Sequence, residues 1–282
     1  MKKLILIEFE GGFRIGRGDE SDSTLPTIHS DTIHGALVYW AFKLNPEEAE
    51  NFAKSLKCSS LIFQHMNDFL IPKPLILDSL SLENPKRLKN ANYVYLSKLS
   101  LKNPEESALM DQPVIVTNIP RNALDRNTNK SMFYFVEVAH VKPDYVPCII
   151  LEFADTYERL VVECLRILAD SGIGGDSTYG FGLFNFEIAD LPELFERSGK
   201  YHCTLSLSIP NVDEIEKLNE GYYRILRKRG FKKDVVQVKA DLNYLSEGST
   251  FPFPIKGRGL AKIEDYFIQT SPITVAFGGD EV

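Results

Sequence analysis

Paired cysteines are missing from this 282-residue chain: Cys58, Cys148, Cys164 and Cys203 are widely scattered, and none forms a C-x-x-C motif. That excludes a disulfide framework and a zinc site of ordinary spacing. No apolar run approaches a membrane span. Met1-Lys2-Lys3 and the following Leu-Ile-Leu-Ile are interrupted by Glu8 and Glu10 too early for a signal peptide, so a first strand and a cytoplasmic protein are expected. The five histidines are dispersed, and His65, His140 and His202 show no ligand spacing, so no metal or cofactor is expected. A basic balance is also absent. The formal net charge of −7 counts against a freestanding nucleic-acid binder.

What is there is an ordinary globular composition, 44% hydrophobic and 25% charged, long enough for two domains. Charge is unevenly placed. Arg224, Arg227, Lys228, Arg229, Lys232, Lys233 and Lys239 fall close together, opposed only by Asp234, and Lys86, Arg87, Lys89, Lys98 and Lys102 form a second cluster. Acid gathers at Glu47 to Glu50 and from Glu193 to Glu220. Such a chain suits a subunit that meets RNA on one side and partners elsewhere; solvated faces are the plain alternative.

The most distinctive stretch is G-I-G-G-D-S-T-Y-G-F-G, Gly172 to Gly182, between a helical run (Asp155 to Ser171) and a strand-like one (Leu183 to Ile188). No Gly-Lys-Ser/Thr follows, which excludes a Walker A loop. The order helix, glycines, strand excludes a dinucleotide fingerprint. A helix C-cap with a bulged strand entry needs fewer glycines than these five. The reading favoured here is a loop laid on an RNA backbone, with Tyr179 and Phe181 offering faces for bases.

Along the chain, Lys3 to Phe9 reads as a buried strand. A loop with Arg14 and Arg17 follows, then a helix from Ser30, the expected N-cap, ending at Asn45-Pro46. His29 and His34 bracket that helix start, as RNA contacts, as acid–base groups, or as packed residues. Short strands are expected over Leu61 to Pro74. Asp78 to Pro113 is polar, lacks periodicity and reads as a projecting insertion. Arg121, Arg126 and Lys130 sit in a turn-rich segment, Ile119 to Ser131, where guanidiniums are placed to grip phosphates; Asp125 beside Arg126 is equally suited to a local ion pair. Met132 to Ala139 and Pro147 to Phe153 alternate as strands. Asp155 and Glu158 form an expected capping box for the clearest helix, with Cys164 on its apolar face. Further strands are expected at Tyr201 to Ile209, Val235 to Val238 and Ile273 to Phe277, and a helix over Asn211 to Glu220. The recurrence of strand, helix, strand, strand predicts an α+β fold. It would comprise two ferredoxin-like (RRM-like, split βαβ) domains, 1–190 with an insertion around 78–113, and 191–282.

Three motifs, H-S-D-T at 29–32, I-P-R-N-A-L-D-R-N-T at 119–128 and the glycine loop, together resemble the RAMP superfamily of CRISPR proteins, and within it the fourth subunit of the type III-A Csm effector complex. The resemblance implies a non-catalytic subunit that holds the 5′ handle of the crRNA and docks the large polymerase-like subunit beside a backbone RAMP subunit. It places His29, Ser30, Asp31 and Thr32 near the RNA groove, and His34, one turn on, is read as a further RNA contact. It puts Arg121, Asp125 and Arg126 in the loop that approaches the guide, and Gly174, Gly175, Ser177, Gly180 and Gly182 in the signature loop. That family often has Arg where this chain has Ser177, which makes Arg258 the candidate replacement cation. Two alternatives accompany it: a metal-independent RAMP endoribonuclease using His29 or His34, and the corresponding subunit of a type III-B complex. A scaffold that touches only protein is a third.

Overall fold

The computed structural model describes residues 1–279 except 18–21, 81–84, 110, 129, 231–238 and 265. Its centre is a seven-stranded antiparallel sheet in the order β5–β4–β3–β8–β1–β9, with β2 also on β8. These strands are β1 (Lys2–Phe9), β2 (Lys57–Cys58), β3 (Ile62–His65), β4 (Asp68–Pro72), β5 (Tyr93–Tyr95), β8 (Tyr145–Glu152) and β9 (Phe184–Asp190). With helices α1 (Ser30–Leu44) and α4 (Glu158–Ser171), the path β1–α1–β3–β8–α4–β9 has split βαβ connectivity. A short helix α2 (Ala49–Ser55) precedes β2.

The continuous apolar runs of β1 and β8 have a simple cause. Successive side chains point to opposite faces, and both faces are covered. Ile5, Ile7, Ile149 and Leu151 join the core beneath α1, α2 and α4. Leu4, Cys148 and Ile150 face the other way, into a core shared with Cys203, Leu205, Ile273, Val275 and Phe277 from the C-terminal part. The helix α4 follows its apolar pattern, burying Leu160, Val161, Cys164, Leu165 and Leu168. All four cysteines are free and buried.

The expected capping box on α4 is not formed: Asp155 instead accepts from the N-terminal ammonium of Met1 at 2.7 Å. The segment 78–113 does not simply project. It carries α3 (Pro85–Asn90) and β5, and buries Leu88, Ala91, Val94, Leu96 and Leu99 in the second core. Its apolar residues are too irregularly spaced to show a period. The part that extends outward is a hairpin, β6 (Val114–Leu124) and β7 (Ser131–Val141), paired along its whole length. Ile119 to Leu124, expected as turn, is therefore strand; Leu124, Met132, Phe133 and Phe135 stay exposed on it.

Among the described residues the C-terminal half forms β10 (Tyr201–Thr204), a one-turn helix α5 (Val212–Ile215), β11 (Ile225–Lys228), β12 (Leu242–Leu245), β13 (Thr250–Phe251), β14 (Leu260–Ile263), β15 (Tyr266–Gln269) and β16 (Thr274–Phe277). They assemble as a three-stranded sheet β13–β10–β16 and two hairpins, β11–β12 and β14–β15. The strand expected at Val235 to Val238 lies outside the described residues. The run Tyr201 to Ile209 leaves the sheet after Thr204 because it crosses between the halves. Leu205 and Leu207 enter different cores, and Ser206 Oγ donates to Cys58 O at 2.8 Å. No helix among the described residues is long and apolar enough to cross a membrane.

Candidate nucleic-acid interface

The glycine loop begins where α4 ends, at Gly172 with φ +79°. It closes first on its own chain. A Cβ on Gly182 would stand 2.1 Å from Ile173 O, and one on Gly174 2.3 Å from Arg14 O. Gly182 is buried, and its carbonyl accepts from Ile173 N at 2.9 Å. These glycines serve close backbone approach within the protein. Gly175 is exposed and donates to Arg14 O at 2.8 Å. Gly180, at φ +86°, has open space where a side chain would go.

The loop is then clasped by two arginines from distant sequence. Asp176 sits in the left-handed region at φ +58°, which short Asn and Asp side chains tolerate better than most. Its carboxylate pairs with Arg14 Nη1 and, at 3.1 Å, with Arg121 Nη1 from the hairpin. Arg14 is fixed a second time by donating from Nε to Glu137 O at 2.9 Å. The Arg121 guanidinium lies 4.1 Å from the centre of the Tyr179 ring and 5.7 Å from that of Phe181, a cation–π arrangement. Ser177 to Tyr179 form one 3₁₀ turn, and Tyr179 remains 69% exposed. Arg121, Asp176, Tyr179, Phe181 and Gly180 thus gather at one place, with the buried Arg14 (8% exposed) beneath them. Asp176 as the bridging acid was missed by sequence reasoning. Its position inside the loop was visible, but the pairing joins residues 162 apart in sequence.

The first motif is mostly a clasp between the halves. His29, not Ser30, is the helix N-cap, and neither supplies a side-chain cap. Ser30 is buried; its Oγ accepts from Leu207 N at 3.0 Å. Asp31 pairs with Lys228 on β11. Burial pushes the Asp31 carboxyl up, but Lys228 and His29 outweigh it and hold it below the usual carboxylate range. His29 Nδ1 donates to Glu247 at 2.7 Å. Burial likewise pushes Glu247 up, and His29 and Ser60 together pull it below its ordinary value. His34 is the clearest correction. One turn inward from Ser30, it is buried, donates from Nε2 to Ala53 O at 3.1 Å, and leaves Nδ1 unpartnered. Burial lowers its pKa to about 4, so it is a neutral core histidine, out of reach of any RNA or substrate.

The other expected cations separate. Arg126 is exposed at the hairpin tip; Asp125 does not shape that tip through it, but accepts from Asn127 N and Thr128 Oγ1. Arg258 donates from Nε to Pro210 O at 3.0 Å in the C-terminal half. Arg17 does reach a shared feature, a 590 Å³ cleft that it lines with His29, Arg227, Lys228 and Asp241. No group of three or more His, Cys, Asp or Glu placed to hold a metal ion occurs among the described residues.

Residues 6–185 match the family model of the RAMP superfamily. The chain belongs to the RAMP superfamily. Residues 197–271 of this RAMP protein match the model of the CRISPR Csm4 C-terminal domain. The "CRISPR system Cms protein Csm4" of Thermococcus onnurineus (strain NA1) is 27% identical over 240 residues, covering 78% of this chain and 80% of that protein. In fold, this RAMP chain resembles one in the crystal structure of a Csm3–Csm4 subcomplex of the type III-A CRISPR-Cas interference complex, with TM-score 0.67, 19% identity, and 98% and 99% of the two chains covered. It also resembles one in the crystal structure of a Csm1–Csm4 cassette in complex with cA4, with TM-score 0.65, 19% identity and full coverage of both.

Proposed function

We propose that the chain is a non-catalytic subunit of a type III-A Csm complex that holds the 5′ handle of the crRNA on its glycine loop and docks the large polymerase-like and backbone RAMP subunits. One observation carries the RNA part: Arg14 and Arg121 converge on the loop beside the exposed Tyr179. Cations there meet phosphates, and an exposed aromatic face accepts a base. Gly180 supplies open space next to them, Gly175 and Ser177 lie in the same loop, and Arg17, His29 and Arg126 are further candidate contacts for the handle. The assembly part is supported by the Csm3–Csm4 and Csm1–Csm4 pairs in which the structural relatives occur. The division into units at 1–190 and 191–282 fits the separate family matches to 6–185 and 197–271.

The test is co-purification with the neighbouring subunits followed by sequencing of bound RNA. Wild-type assemblies retain a defined 5′ tail. Arg121→Ala removes one of the two Asp176 partners and the cation over Tyr179, and lowers RNA retention several-fold. Unchanged retention by Arg121→Ala overturns this placement of the handle. The burial of His34 and the Glu247 partner of His29 favour no acid–base pair for the endoribonuclease reading.

A further inference from the structure

We propose that Asp176 is a positioning residue: its carboxylate promotes RNA binding through Arg121, by holding that guanidinium against Tyr179, and not by touching RNA itself. This rests on the reading above that the glycine loop binds RNA. It assigns a favourable role to an acid at a place where phosphates are expected, so it fixes the sign of a substitution that charge counting gets wrong.

The arrangement is anchored at one end. Arg14 is buried and donates from Nε to Glu137 O at 2.9 Å. Glu137 is fixed in turn: its N donates to Asp22 O at 2.7 Å, and its Oε2 accepts from Thr24 N at 2.8 Å. Asp176 Oδ2 pairs with Arg14 Nη1 and, on the same oxygen, with Arg121 Nη1 at 3.1 Å. Arg121 lies opposite Tyr134 on the β6–β7 hairpin, three residues beyond Glu137. Two guanidiniums that meet on one oxygen repel each other once the anion is gone. Arg14 keeps its backbone partner, so Arg121 is the one that moves. Its guanidinium then loses its place 4.1 Å from the centre of the Tyr179 ring.

Two effects of Asp176 on RNA oppose each other. Its charge repels phosphates, but its side chain is 27% exposed, and water and salt screen that repulsion. Its grip on Arg121 removes the rotamer freedom of a long side chain before RNA arrives. A ligand that must itself order such a side chain binds more weakly. The charge-assisted bond to Asp176 is also the directional one, whereas the cation–π contact alone tolerates sliding over the ring. Pre-ordering therefore outweighs repulsion, and Tyr179, covered by Arg121 on one face, keeps the other for a base.

Asp176→Asn isolates the charge, because Asn tolerates φ +58° as Asp does. The test is a double-mutant cycle on the full chain. Anisotropy of a fluorescein-labelled single-stranded RNA octamer gives Kd at low salt for the wild type, Asp176→Asn, Arg121→Ala and the double variant. Circular dichroism checks that each is folded. Asp176→Asn is expected to weaken binding several-fold although it removes a negative charge. In the Arg121→Ala background the same change is expected to leave Kd unaltered or slightly tighter. Unaltered or tighter binding by Asp176→Asn alone overturns the positioning role. Equal weakening in both backgrounds also overturns it, since that marks a loosened loop and not an action through Arg121. In either case, weaker binding by Arg121→Ala leaves the glycine-loop reading standing. No binding by the wild-type chain, or wild-type Kd in all three variants, overturns both.

Discussion

Two glycines in one loop are expected to behave differently when each is changed to alanine. Both Gly180 and Gly182 have positive φ, +86° and +75°. An L-residue there costs about 1–2 kcal/mol, offset by roughly 0.4–1 kcal/mol from the lost freedom of glycine in the unfolded chain. For Gly180→Ala that is the whole account, because nothing lies within 4 Å of the new Cβ, and a loss near 1 kcal/mol is expected. Gly182→Ala drives its Cβ into Ile173, 2.1 Å from the carbonyl oxygen and 2.9 Å from the nitrogen. The backbone must move, which endangers the Ile173 N to Gly182 O and Gly182 N to Gly12 O bonds, both 2.9 Å. At about 1 kcal/mol each, the total reaches about 3–4 kcal/mol, a fall in melting temperature of roughly 10 °C. Urea denaturation and thermal melts measure this directly. Anisotropy of a fluorescein-labelled single-stranded RNA octamer then separates the roles: Gly180→Ala, folded, is expected to bind RNA more weakly through a methyl group on open backbone. Equal stability losses in the two variants would refute the argument that Gly182 serves the fold and Gly180 the surface.

His34 is expected to stay neutral from pH 8 down to about 5, with a ring-proton NMR signal that does not titrate near 6.5. Its pKa falls from 6.5 to about 4, so the folded state binds this proton less readily than the unfolded state. Stability is therefore full above pH 6.5 and drops as pH falls towards 4, by about 3 kcal/mol from this group, readable in urea midpoints. Lys228→Met leaves Asp31 buried without its cation and is expected to cost about 3–5 kcal/mol, while Asp31→Asn in addition recovers part of the loss. Because the Asp31 carboxyl is held low, its pairing with Lys228 stabilises the fold at neutral pH and that contribution is lost as pH drops through the lowered value; a stability gap between wild type and Lys228→Met that narrows as pH falls checks the sign.

Much of the N-terminal half was legible. The apolar runs of Lys2–Phe9 and Tyr145–Glu152, the amphipathic pattern of Glu158–Ser171 and the stop at Asn45-Pro46 are local signals that each element obeys. The fifteen-residue α1 began where expected, although its cap did not. The 78–113 segment and the C-terminal half were less readable, because their elements are short and draw their apolar partners from distant strands.

The site divides along the same line. Composition and spacing alone determined that a glycine loop follows a helix, that arginines sit in two other segments, and that the cysteines and histidines form no metal motif. Only the folded chain decided which glycines face their own backbone, that Asp176 joins Arg14 to Arg121, and that His34 turns inward while the His29 ring pairs with Glu247. The physical reason is range. Helix and strand periods are set by neighbours a few residues apart, whereas an ion pair across more than a hundred residues exists only once the sheet has brought its ends together.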